Sequence, residues 1–179
     1  MTVMGDFWVF GYGSLIWNPG FEYVERRRAK LHGLHRSLCI RSWVHRGTKQ
    51  NPGLVLGLDS GGSCTGIAMK VSGKHRDETI DYLRKRELVT NVYLECWRSV
   101  VLEKGEKVRA LAYRVDRSHE QYANGLTLDE QVEIVRGSSG GSGPNDEYVI
   151  STVAAMRSEN VSDHGLEYIA GKLEEVSVS

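Results

Sequence analysis

Short apolar blocks separated by glycine and proline fill the first part of the chain, and the three- and four-residue spacing of amphipathic helices takes over later. Strands are predicted at Trp8–Phe10, about Ala29–Arg41, Leu54–Leu58 and Thr65–Val71, punctuated by Pro19-Gly20, Pro52-Gly53 and the glycine cluster from Ser60 to Ser63. A helix from about Asp77 to Arg86 sets Ile80 and Leu83 on one face, and Tyr93–Leu102 and Val108–Val115 then read as a long hairpin about Lys104-Gly105-Glu106. Three helices follow. Thr127–Arg136 opens with Thr127 three residues before Glu130, a capping-box pattern; Asn145–Arg157 carries Tyr148, Val149, Val153 and Met156; Gly165–Glu175 carries Leu166, Ile169 and Leu173. Strands before helices predict an α+β domain, a small barrel-like sheet packed by helices. The stretch Arg136–Asn145 (RGSSGGSGPN) has the composition of a flexible linker, but the two helices after it are too little to bury a core of their own. The expectation is therefore one domain, 1–179, with a glycine loop at its rim.

At 179 residues the chain can bury roughly two thirds of its unfolded surface and house a pocket. With 23 basic and 23 acidic residues it carries no net charge, which removes the electrostatic footprint of a nucleic-acid or membrane binder and favours a small-molecule or protein partner. The run Glu25–Lys30 (ERRRAK) reads as a solvated basic face, weakly attractive to small anions. Cys39, Cys64 and Cys96 are odd in number and widely spaced, so reduced core thiols are expected rather than a disulfide framework or a zinc site. No signal-peptide pattern opens the chain and no apolar run is long enough to span a membrane, which points to a cytoplasmic protein. Trp8, Trp17, Trp43 and Trp97 read as core or pocket wall rather than a stacking platform for bases. Zero net charge is compatible with self-association but leaves the oligomeric state open.

The candidate chemistry begins at Trp8–Trp17, WVFGYGSLIW, where a buried strand runs into a glycine-rich turn. Gly11 and Gly13 free the backbone so that successive N–H groups can converge on an anion, and Ser14 adds a hydroxyl. Common templates fail: a dinucleotide fingerprint needs glycine where Ile16 stands, a nucleophile elbow needs glycine at Tyr12 and Ile16, and no P-loop follows. Taken alone, the segment reads as a tight structural turn. Glu87, after Arg84-Lys85-Arg86, reads as a solvated helix-end carboxylate in a surface ion pair. Tyr148, on an apolar helical face, reads as core with its hydroxyl locally bonded. His32 and His35 form an HxxH pair with no third ligand at a familiar spacing, so no metal is expected.

Four segments change these readings: FGYGSLIWNPGF (Phe10–Phe21), HRGT (His45–Thr48) followed by PGLVLGLD (Pro52–Asp59), LRKRE ending at Glu87, and GSGPNDEYV (Gly141–Val149). In order and spacing they resemble the ChaC family of glutathione-specific γ-glutamylcyclotransferases, in its bacterial branch, across roughly Phe7–Val176. The resemblance implies a γ-glutamylcyclotransferase-like fold, a small mixed β-barrel with surrounding helices. It also implies a carbon–nitrogen lyase that cleaves glutathione into 5-oxoproline and cysteinylglycine without metal or cofactor. Carried onto this chain, it makes Tyr12, Gly13, Ser14 and Leu15 the γ-glutamyl-binding loop, Glu87 the catalytic acid/base and Tyr148 a substrate contact. Many relatives have a glycine pair shortly after the catalytic Glu; Leu88, Val89 and Thr90 stand here instead.

In the reaction so implied, the α-amine of the γ-glutamyl group attacks its own side-chain carbonyl and expels the amine of the next residue. The enzyme must hold that geometry, take a proton from the α-ammonium and deliver one to the leaving nitrogen, and one carboxylate can do both. Apolar surroundings that raise the pKa of Glu87 toward working pH would suit it to this task. Donors in the loop would hold either the α-carboxylate or the developing oxyanion, each typically worth about 2.7–4 kcal/mol in such a site. Two other readings stay open: a cyclotransferase for other γ-glutamyl amines or amino acids, and a non-catalytic regulatory or binding protein linked to cation transport.

Overall fold

The computed structural model describes residues 5–87 and 91–176. The chain forms two compact units, Met1–Arg36 with Leu58–Asp116, and Ser37–Gly57 with Arg117–Ser179. Among the described residues, seven strands and four α-helices follow in the order β1 (Phe7–Gly11), β2 (Glu25–Ser42), β3 (Gly53–Val71), α1 (Arg76–Glu87), β4 (Tyr93–Leu102), β5 (Lys107–Val115), α2 (Leu128–Arg136), β6 (Ser139–Gly140), β7 (Gly143–Pro144), α3 (Asn145–Ser158) and α4 (His164–Val176). The boundary between the units falls inside β2 and β3.

A closed barrel in the strand order β1-β3-β2-β4-β5 dominates the first unit. β1 runs antiparallel to β3, with Val9 opposite Met69, and parallel to β5, with Val9 opposite Leu111, and this parallel pair closes the barrel. The hairpin β4–β5 keeps one register from Tyr93↔Val115 to Val101↔Lys107. Val9, Leu31, Met69, Val71, Ala110 and Leu111 are fully buried, and closure leaves none of the five strands as a free edge. In α1, Thr79 and Leu83 are the buried residues.

Two expectations change. Leu54–Leu58 and Thr65–Val71 are not separate strands but one strand, β3, which continues through the Ser60–Ser63 cluster. Gly61 and Gly62 take positive φ there (101° and 64°), and His35 of β2 stays alongside with Nδ1 3.0 Å from the Gly61 carbonyl, so the glycines bend the strand without ending it. The basic run Glu25–Lys30 is the start of β2: Arg26 and Arg27 are half-buried, and Arg27 is committed to Glu25, Glu103 and Glu106 at 3.4–4.0 Å. The four tryptophans are half-buried, and of the two expected settings, core or pocket wall, Trp8 and Trp97 take the second. Trp8 and Trp97 are walls of an open depression with Phe7 and Arg76, and the Arg76 guanidinium lies 4.9 Å from the Phe7 ring and 5.4 Å from the Trp97 ring.

The second unit is built from α2, α3 and α4 with the adjoining ends of β2 and β3. The capping box of α2 is complete: the Glu130 N–H donates to the Thr127 hydroxyl and the Thr127 N–H donates to the Glu130 carboxylate. Val132, Val135, Val149, Val153, Met156 and Leu166 form its apolar interior, on the faces the spacing predicts. The Arg136–Asn145 stretch folds into the small β6–β7 hairpin, whose Gly141 and Ser142 N–H groups donate to the Val44 and His45 carbonyls at 2.7 and 2.8 Å. Gly140 is required there, because a Cβ would lie 2.5 Å from the Gly47 nitrogen and 2.6 Å from the Val44 oxygen. No helix among the described residues is long and apolar enough to cross a membrane.

Candidate active site

β1 ends at Gly11, and Tyr12 and Gly13 lead into a single 3₁₀ turn, Ser14–Ile16, closed by Ile16 N–H to Gly13 O at 2.8 Å and Asn18 N–H to Ser14 O at 2.7 Å. Tyr12, Leu15 and Ile16 are buried and anchor the turn, while Ser14 is exposed. The N–H groups of Ser14 and Leu15 precede the first bond of the turn, where a helical start has no internal acceptor for them. Three arginines tie down carbonyls of this segment. Arg36, 6% exposed, donates Nε to Tyr12 O at 2.6 Å and Nη2 to Thr65 O at 2.7 Å. Arg26 donates to Ile16 O at 2.7 Å, and Arg86 to Asn18 O at 2.7 Å and Pro19 O at 3.1 Å. Backbone N–H groups thus occupy the Gly13 and Ser14 carbonyls, and guanidinium groups occupy those of Tyr12, Ile16, Asn18 and Pro19, leaving the surroundings electropositive, which suits an anion.

Glu87 is the last residue of α1, and its side chain is only 15% exposed. Burial raises its carboxyl above the ordinary carboxylate range, and the Arg86 guanidinium, with Nε 3.7 Å from Glu87 Oε1, pulls in the other direction. Glu95 on β4 shifts oppositely. Arg84 grips it with two bonds of 3.1 Å, the Tyr113 hydroxyl donates to it at 2.9 Å, and its carboxyl is held below the usual range. Tyr113 is pushed strongly upward, first by burial, then by its bond to Glu95, with the charges of Glu95 and Glu87 adding. The two carboxyls are thus shifted in opposite directions, Glu87 by desolvation and Glu95 by its bonds to Arg84 and Tyr113.

Arg86 joins the two pieces, since its Nη2 donates to Ser14 Oγ at 2.8 Å. The expected residues of the first unit, Tyr12, Gly13, Ser14, Leu15 and Glu87, are thereby linked through one guanidinium. Tyr148 belongs to the second unit, where it is half-buried on α3. The Leu56 N–H donates to its hydroxyl at 3.1 Å, and the Arg46 guanidinium lies 5.3 Å from its ring. Leu88, Val89 and Thr90 lie outside the described residues. No group of three His, Cys, Asp or Glu that could hold a metal ion is gathered among the described residues.

Sequence reasoning missed the three bracing arginines and the Arg84–Glu95–Tyr113 network. Arg36 offered a signal, because an arginine between Leu34 and Leu38 in an apolar strand is out of place unless it is paired inside. Arg86 offered none beyond its place beside Glu87.

A model of the family described as ChaC-like protein matches residues 7–176. The glutathione-specific gamma-glutamylcyclotransferase of Escherichia coli is 34% identical over 162 residues, covering 90% of this chain and 70% of that protein. Glutathione-specific gamma-glutamylcyclotransferase 1 of Danio rerio is 33% identical over 156 residues, covering 84% and 79%. Among solved structures, a yeast gamma-glutamyl cyclotransferase specific to glutathione superposes with a TM-score of 0.82 over 96% of each chain at 23% identity, a likeness of fold. The α+β fold, a closed five-stranded barrel together with α-helices, is thus the fold of these cyclotransferases.

Proposed function

The chain belongs to the ChaC-like protein family, and on that premise we propose that it is a glutathione-specific γ-glutamylcyclotransferase, a carbon–nitrogen lyase releasing 5-oxoproline and cysteinylglycine. Glu87 takes a proton from the α-ammonium of the γ-glutamyl group, and the freed amine attacks the γ-carbonyl to close the five-membered lactam. Glu87 then returns that proton to the departing cysteinyl nitrogen as the old carbon–nitrogen bond breaks, and the second proton that the ring nitrogen sheds to become the lactam N–H passes through the freed Glu87 carboxylate to the released amine or to solvent. The observation that carries this reading is the buried, upward-shifted carboxyl of Glu87 beside Arg86, whose guanidinium bonds the Ser14 hydroxyl of a loop that Arg36 braces at the Tyr12 carbonyl. A side chain with a raised pKa is a stronger base, and its conjugate acid is ready at the moment the leaving nitrogen needs it. The Ser14 and Leu15 N–H groups and the Ser14 hydroxyl hold the substrate's anionic oxygen. Tyr148 is proposed as a substrate contact through its half-exposed ring. The substrate is a small molecule and the chemistry calls for no cofactor. Cytoplasmic residence is proposed from the buried thiols of Cys39 and Cys64.

The test is release of 5-oxoproline from glutathione and from γ-glutamyl dipeptides by wild type and by Glu87→Gln. Wild type is expected to turn over glutathione, and Glu87→Gln to lose about 10²–10⁴-fold in kcat. A protein inert toward every γ-glutamyl compound would sink the enzymatic reading and leave a regulatory one. Reaction with dipeptides but not glutathione would remove only the specificity, and full activity in Glu87→Gln would remove the base.

A further inference from the structure

We propose that Arg86 is the positioning residue of the site, holding the substrate-binding loop in register with the helix end that carries the base. The proposal rests on the reading of Glu87 and the Tyr12–Leu15 loop given above. The geometry is specific to a guanidinium. Nη2 donates to Ser14 Oγ at 2.8 Å, while Nη1 donates to Asn18 O at 2.7 Å, to Pro19 O at 3.1 Å and to Tyr82 OH at 3.0 Å. Nε is left facing Glu87 Oε1 at 3.7 Å. Tyr82 stands one helical turn before Arg86, so its hydroxyl supports the arginine from within α1. The planar fork therefore reaches both ends of the segment from Ser14 to Pro19. Because the next residue is Glu87, displacement of the loop relative to α1 displaces the anion donors relative to the base.

Two substitutions separate bracing from charge. In Arg86→Lys the positive charge stays near Glu87, but a single ammonium cannot serve Ser14 on one side and the Asn18 and Pro19 carbonyls on the other. Misplacement on the scale of 1 Å costs about 10²-fold in rate, so kcat/KM of Arg86→Lys is expected to fall by about that factor, with kcat lowered and KM raised together. Simple loss of folded protein would lower kcat in proportion and leave KM alone. Arg86→Met removes the charge as well. Among the described residues, the groups acting on Glu87 are Arg86 on its own helix and Tyr113 on β5, the latter bonded to Glu95 and through it to Arg84. Without the arginine, burial acts unopposed on Glu87, so the acid limb of kcat/KM moves to higher pH in Arg86→Met and keeps its wild-type position in Arg86→Lys.

The experiment is steady-state kinetics across pH with glutathione for wild type and both variants, with thermal unfolding alongside. Kinetic constants of Arg86→Lys within about twofold of wild type would overturn the proposal, as would a loss matching its unfolded fraction. If the arginine variants do not fold, Tyr82→Phe removes one acceptor of the same guanidinium, and faster amide hydrogen exchange over residues 14–18 is expected. Unchanged exchange there overturns the brace. Inactive wild type would instead count against the function, and the two failures are distinct.

Discussion

Asn145→Ala gives the sharpest test of how the second unit is held together. The Asn145 side chain is completely buried, and it bonds Leu54 like a neighbouring strand would: Oδ1 accepts the Leu54 N–H at 2.8 Å and Nδ2 donates to the Leu54 carbonyl at 2.9 Å. Alanine leaves both backbone groups without these partners in a site sealed from water. Each buried group so orphaned costs about 1–3 kcal/mol, hence about 2–6 kcal/mol for the pair. At about 2–4 °C per kcal/mol for a chain of this size, Tm should fall by roughly 5–20 °C. Asn145→Asp is the control, since it keeps an acceptor for the Leu54 N–H but turns a second oxygen toward the Leu54 carbonyl. Burial raises the pKa of that aspartate above its unfolded value, so the variant is least stable at neutral pH and recovers as pH falls and the carboxyl regains a proton to donate. The assay is thermal and urea unfolding of wild type and both variants between pH 4 and pH 8. A loss under about 0.5 kcal/mol in Asn145→Ala, or an Asp variant as stable as wild type at neutral pH, would refute the two-pronged bond.

The remaining expectations concern Glu87, Arg84 and Gly140. Because the folded-state pKa of Glu87 is raised by burial, its ionisation works against folding as pH rises past the ordinary carboxylate range. Glu87→Gln should therefore be more thermostable than wild type at neutral pH, with the difference vanishing at acid pH; a pH-independent difference would contradict burial as the cause. Glu95 is shifted down by Arg84, so that pair stabilises above the ordinary carboxylate range and its contribution is lost as pH falls through the lowered value. Arg84→Met should show a small loss of Tm at neutral pH that shrinks in high salt and at low pH, measured by unfolding in buffers of varied ionic strength. Gly140→Ala must move backbone away from Gly47 and Val44, at a cost of about 1–3 kcal/mol, visible as a lower Tm and faster proteolysis at the β6–β7 turn. Equal protease resistance would argue against that close approach.

The parts of the fold legible in the chain were those written in local periodicity. The β4–β5 hairpin about Gly105, the capping box at Thr127 and the buried faces of α3 and α4 stand close to their predicted places, since each depends on residues near one another in sequence. The continuous β3 was not legible, because Ser60–Ser63 carries the composition of a turn and only pairing along β2 makes it a bend within a strand. The tryptophans were legible only as core or pocket wall, because the cationic cover that Arg76 and Lys49 give Trp97 and Trp43 is not visible in composition.

At the site, the amino-acid sequence by itself determined the glycine-rich turn after β1, the helix ending at Glu87 and, through the order of four segments, the family. Those are properties of short stretches, where residue type and spacing suffice. Tertiary structure alone decided that Glu87 is desolvated while Glu95, eight residues on, is gripped by Arg84, so that two carboxylates of the same type take opposite shifts. It alone decided, too, that Arg26, Arg36 and Arg86 converge on the carbonyls of one loop. Electrostatic environment and hydrogen-bond partners depend on distances between residues remote in sequence, and those distances exist only once the barrel has closed.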